Sequence, residues 1–130
     1  MSKLNYDTQS LCDSAMVLLS QKISIKSIPM VIVHDDIEEK TGKSSYYDPK
    51  TKVIYVQLVT DSTRMLWSLI VGIGEFLYND KYKGVSFYSQ NYNHLSANRK
   101  FAEAFKDFIM FKRNFSMDTI NMYRLLVLKE

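Results

Sequence analysis

One cysteine, two prolines, four glycines and two histidines are spread over 130 residues, and each scarcity excludes something. Cys12 stands alone, so no intramolecular disulfide can form. A nucleophilic thiol needs a base partner, and only His34 and His94 are on offer. Cys12 therefore reads as a small apolar residue on the first helix. The two histidines lack the close spacing of a metal-ligand pair. There is no low-complexity tract and no internal repeat. Residues 1–7 lack the apolar centre of a signal peptide. The longest apolar stretch, Met65–Ile73, is far shorter than a membrane span. The expectation is a cytoplasmic chain with no membrane association.

What is present points to a folded core. Hydrophobic residues make up 46% and aromatic residues 13%, with nine tyrosines. A chain of this length forms a single domain, 1–130, burying roughly two-thirds of its unfolded surface. The net charge is +3, too small to argue for nucleic acid by itself. Its distribution is uneven: residues 1–80 carry 8 basic and 10 acidic groups, residues 81–130 carry 9 and 4. The C-terminal part is the basic one.

Hydrophobic spacing gives the order of elements. Asp7 or Thr8 can cap an N-terminal helix, about 8–21, with Leu11, Ala15, Leu18 and Leu19 on one face. The β-branched run Ile28–Val33 reads as a strand, with Pro29 at its start or on a sheet edge. His34–Lys40 is charged and reads as an exposed turn or short helix. Residues 45–59 read as a hairpin. Asp48 and Pro49 suit the first two positions of a type I turn, and Ile54, Val56 and Leu58 form the apolar face.

Asp61 or Ser62 caps a central helix, 62–79, that is apolar almost all round and so buried. Gly72 and Gly74 each cost about 1 kcal/mol relative to alanine inside a helix. A strand or helix packed very close would offset that most simply. Two glycines within a helix, with no third, do not make a phosphate-binding motif. A long loop, 81–95, leads to a helix over about 97–112, with Phe101, Ala104, Phe105, Phe108 and Ile109 inward. Ser116 caps a final helix, about 117–128. The fold class is α+β: a small sheet of about three strands packed against helices, a buried central helix and two C-terminal helices.

Three pieces of this pattern carry a family resemblance. The hairpin Tyr47-Asp48-Pro49-x-Thr51-x-Val53-Ile54-Tyr55-Val56, the helix Leu66–Tyr78 and the helix Ala97–Met110, over about residues 28–112 in all, resemble the minimal zincin metallopeptidases. The group is the ImmA/IrrE-like type associated with phages and mobile elements. That resemblance implies a zinc held by two histidines one helical turn apart, with a glutamate between them as general base. The third ligand would be a glutamate three residues before an Ala-x-x-Phe alanine. The matching positions here are Gly74, Glu75, Tyr78 and Arg99. Only the glutamate keeps its place. Glycine offers no ligand atom, and an arginine opposes a metal cation. The resemblance thus implies a pseudo-metallopeptidase without metal, cofactor or catalytic residue.

Glu75 has two readings: a carboxylate that reaches solvent or pairs with Arg99 or Lys100, or a surviving acid/base group. His34 beside Asp35 and Asp36 has metal-binding chemistry. His94 could rebuild a site with Glu75 and Tyr78. The remaining candidates form a contact surface: Tyr82, Lys83, Phe87, Tyr88 and Tyr92 of the long loop, with Arg99, Lys100, Lys106, Lys112 and Arg113. Aromatic residues among basic and amide side chains suit a protein partner, or the stacking and phosphate contacts of a nucleic acid. The same loop could equally be a plain lid over the cleft. Three functions follow: a non-catalytic regulator or inhibitor acting by protein contact, a nucleic-acid-binding accessory protein, and a hydrolase with a rebuilt site around Glu75. The oligomeric state stays open.

Overall fold

The computed structural model describes residues 8–110 and 116–127. Asp7, Lys112, Arg113 and the last residues of both C-terminal helices as read from sequence lie outside this range. The elements run α1 (Thr8–Ser20), β1 (Met30–His34), α2 (Ile37–Thr41), β2 (Ser45–Asp48), β3 (Val53–Gln57), α3 (Ser62–Leu77), a π-helical turn (Tyr78–Tyr82), α4 (Ala97–Met110) and α5 (Met117–Leu126). This is the α+β architecture expected from the sequence. No helix among the described residues is long and apolar enough to cross a membrane.

The strands form one mixed sheet in the order β1-β3-β2. β1 lies parallel to β3, with Ile32 opposite Tyr55, and β2 lies antiparallel to it, with Tyr46 opposite Tyr55. Alternation sends Ile54, Val56, Ser45 and Tyr47 into the core. The rings of Tyr46 and Tyr55, on the other face, stack at 5.1 Å. The hairpin turn is one residue longer than a plain type I turn. Asp48 Oδ1 accepts from Lys50 N–H, the Asp48 carbonyl accepts from Lys52 N–H, and Lys52 takes a left-handed conformation with φ 60°.

α3 lies between the sheet and α4. Asp61 caps it, its carboxylate accepting from Thr63 N–H at 3.0 Å. The two glycines mark the two close approaches. A Cβ on Gly72 would lie 2.5 Å from Ile54 Cγ2 of β3, and one on Gly74 would lie 2.9 Å from Ala102 Cα of α4. The missing side chains thus let a strand and a helix press against opposite faces of α3. The sequence placed the end of this helix at residue 79. It instead widens after Leu77 into the π turn, which sets Tyr78 and Tyr82 at 5.5 and 5.4 Å from the Phe101 ring.

Candidate functional site

Glu75 is the buried polar residue of α3, and its surroundings are built from three elements. α3 places it 4% exposed, facing β2 and α4. Its Oε1 accepts from the Tyr47 backbone N–H at 2.9 Å. Its Oε2 accepts from Arg99 Nη1 at 3.0 Å. The same Arg99 nitrogen donates to the Ser45 carbonyl at 2.9 Å, and Arg99 Nε lies 3.2 Å from Glu103. Of the pairings considered from sequence, the structure selects Arg99, and Glu75 is nearly buried.

The backbone atoms involved have a common origin. Ser44 accepts from Gln57 N–H across the β2–β3 ladder, so even-numbered residues of β2 point their backbone groups at β3. The groups of Ser45 and Tyr47 point to the free side, where Glu75 and Arg99 meet them. A carboxylate takes the strand's N–H and a guanidinium serves its C=O. Together they stand in for a neighbouring strand.

The pairs continue along α4. Lys106 lies 3.7 Å from Glu103 and 2.9 Å from Asp107, with its ammonium 5.7 Å from the centre of the Trp67 ring. Tyr92 donates its hydroxyl to Asp107 at 2.6 Å. Burial, then the neighbouring Asp107 carboxylate, pushes the Tyr92 hydroxyl well above the usual tyrosine range.

The four positions that the resemblance would assign to a zinc site do not fit a zinc ion. Gly74 has no donor atom and faces the backbone of α4. Both oxygens of Glu75 accept hydrogen bonds, Tyr78 packs on Phe101, and Arg99 brings a positive charge. An open cleft of about 360 Å³ lies beside them, lined by residues that include Tyr47, Glu75, Tyr78 and Lys83. His94 is exposed and does not line that cleft, so the structure does not assemble His94 with Glu75 and Tyr78. Among the described residues, His34, Asp35 and Asp36 bring three ligand atoms within 4.8 Å of one another on an exposed turn. There the hydrogen bond from Lys40 holds the Asp36 carboxyl below its usual range, with His34 adding to the effect. Cys12 is half-buried, and burial with the nearby Asp13 raises its thiol. That is the opposite of an activated nucleophile.

The proposed contact surface divides in two. Phe87 is buried, its ring 5.8 Å from Phe101, and Tyr82 stacks on Phe101 as well. Tyr92, Arg99 and Lys106 are engaged within the chain, as above. Phe87, Tyr82 and Tyr92 turn inward because α4 carries Phe101 and Asp107, whereas Arg99 is held by Glu75 of α3 and Glu103, and Lys106 by Glu103 and Asp107. Lys83 and Tyr88 face solvent, Tyr88 at 61%, and Lys100 is partly exposed.

Sequence reasoning missed Asp118. It is buried in the first turn of α5 and accepts from Ser89 Oγ at 2.9 Å, from Asn91 N–H at 3.1 Å and from Gln90 N–H. Asn121 also donates to the Tyr88 carbonyl. The loop is thereby fastened to α5, beside the exposed residues Met117, Ile120 and Tyr123. Nothing local marked Asp118, because its partners lie 27 to 29 residues away.

Compared with known proteins, the chain matches no family model, no curated protein and no solved structure.

Proposed function

We propose that this chain is a non-catalytic zincin-like domain that acts by protein–protein contact. Its role is that of a regulator or inhibitor carried by a phage or mobile element, working in the host cytoplasm. The observation that carries the reading is the engagement of Glu75. A general base needs a lone pair aimed at a substrate or a water; Glu75 is 4% exposed, and each of its oxygens already accepts a hydrogen bond within the fold, from Tyr47 and from Arg99. The zincin frame and its phage association rest on the sequence resemblance.

The contact surface best suited to a partner is Tyr88 with Met117, Ile120 and Tyr123, which share the loop–α5 region and are all exposed. Asp118 holds the loop in place before any partner arrives. Tyrosine on a fixed loop gives contact area at low entropic cost. The basic groups give the nucleic-acid reading less support, since Arg99 and Lys106 are neutralised by Glu75, Glu103 and Asp107.

The test is affinity capture from host lysate, with and without nuclease, using the natural sequence and a Tyr88→Ser/Tyr123→Ser variant. One stoichiometric protein that survives nuclease and is lost with the variant is the expected result. Capture that disappears with nuclease, and weakens steeply with salt, would transfer the assignment to nucleic acid.

A further inference from the structure

The sheet has two outer edges, and they differ. On β1, the His34 carbonyl accepts from Leu58 N–H. Even-numbered residues of β1 therefore direct their backbone groups at β3. The N–H and C=O groups of Val31 and Val33 point to the open side, where no described residue hydrogen-bonds them. An uncovered edge normally carries charge, proline or a bulge as protection. β1 is Met-Val-Ile-Val-His with no bulge, and Pro29 precedes it. On its outer face Met30 is 68% and Ile32 38% exposed.

We infer that β1 is a homodimerisation edge: two copies pair β1 to β1 antiparallel about a two-fold axis through Ile32, giving one continuous six-stranded sheet. In that register Val31 of each copy exchanges both backbone hydrogen bonds with Val33 of the other. Ile32 meets its own counterpart, and Met30 meets His34. All five strand residues are used, and the pattern is self-complementary, as a two-fold interface requires.

Charge favours the antiparallel direction. Lys26 lies on the N-terminal side of the strand, and Asp35, Asp36, Glu38 and Glu39 outnumber Lys40, which pairs with Asp36, on its C-terminal side. The two-fold sets each basic end beside the other copy's acidic end, whereas a parallel addition would set like charges together. Closure also follows. The outer edges of the six-stranded sheet are both β2, whose outward groups at Ser45 and Tyr47 are already met by Arg99 and Glu75. Pairing stops at two copies instead of running on as a fibre.

Sedimentation of the full chain over a range of concentrations should show reversible association to twice its 15.2 kDa mass. Val31→Pro removes an N–H that faces away from β3, and should give a monomer with unchanged circular dichroism. Should that variant fold poorly, Ile32→Lys on the exposed outer face sets two like charges across the axis. It should weaken association by at least about tenfold. In a Cys12→Ser background, Ile32→Cys should cross-link into a covalent dimer under mild oxidation, since directly opposed Cβ atoms lie about 4.5–5.5 Å apart. Met30→Cys, several residues from its own counterpart, should not. A monomer at every concentration overturns the assignment. So does a dimer indifferent to both Val31→Pro and Ile32→Lys, or equal cross-linking at positions 30 and 32. None of these outcomes bears on the Tyr88 and Tyr123 surface, which lies on other elements.

Discussion

The two edges of this small sheet meet the same physical problem with different means. Each presents backbone donors and acceptors that a neighbouring strand would satisfy. At β2 the chain answers with side chains: Glu75 from α3 takes the Tyr47 N–H, and Arg99 from α4 serves the Ser45 carbonyl. At β1 the groups of Val31 and Val33 are left for another chain. An edge is therefore not open or closed by virtue of its strand sequence. Ser45-Tyr46-Tyr47-Asp48 would pair as readily as Met30–His34 if the helices behind it did not reach across. An active helix of a metallopeptidase would spend its glutamate on a substrate. Here Glu75 is bound to the Tyr47 backbone and to Arg99 instead.

The largest expected effect comes from removing the guanidinium. Arg99→Met leaves the buried Glu75 carboxylate unpaired and should cost about 3 kcal/mol, read by chemical denaturation. It also exposes the β2 edge, so sedimentation should then show species larger than two chains. Gly74→Ala comes next. The added methyl meets the α4 backbone at 2.9 Å, and overpacking of about 1–3 kcal/mol exceeds the gain of about 1 kcal/mol in helix propensity. The net loss should include partial release of the β2 edge, since Arg99 rides on α4. Glu75→Gln keeps an acceptor for Tyr47 while removing the charge. It should cost about 1–2 kcal/mol without raising zinc affinity.

Two smaller effects separate the edges from the rest of the molecule. Tyr92 holds its proton more tightly folded than unfolded. Above about pH 10 the unfolded chain loses that proton while the folded chain keeps it, so stability falls as pH rises. Tyr92→Phe should flatten this alkaline slope and leave association unchanged. Lys52→Gly relieves the left-handed turn residue of the hairpin, a strain of roughly 1–2 kcal/mol set against an entropic cost of about 0.5–1 kcal/mol, and should raise stability in thermal unfolding by under about 1 kcal/mol. That change should alter neither edge.

Much of the fold was legible in the sequence because its signals are local. Asp61 and Ser116 cap their helices as read, with Thr63 and Thr119 N–H among the donors. The alternation in 53–57 gave the core face. Gly72 and Gly74 announced close packing, although not that the neighbours would be Ile54 and Ala102. Two further features had local traces that charge counting hid. Arg99–Glu103 and Glu103–Lys106 are at helical spacing, so their mutual neutralisation is already written in that spacing. The edge position and parallel direction of β1, the π turn and the Asp118 anchor depend on contacts distant in sequence. The site followed the same division: Glu75 was singled out from its apolar surroundings, but its bond to the Tyr47 backbone depended on where β2 would lie.

The anchor at Asp118 has a kinetic side. It joins a helix near the C-terminal end to amides almost thirty residues earlier, so it cannot form until α5 has docked on α4. Phe87 and Tyr92 tie the loop to α4, while the opening of the stretch around Gln90 and Asn91 is tied to that of α5. The Gln90 and Asn91 amides should accordingly exchange with solvent deuterium at the rate of the α5 backbone rather than at that of the sheet. The C-terminal helix is in this sense the clasp of the loop.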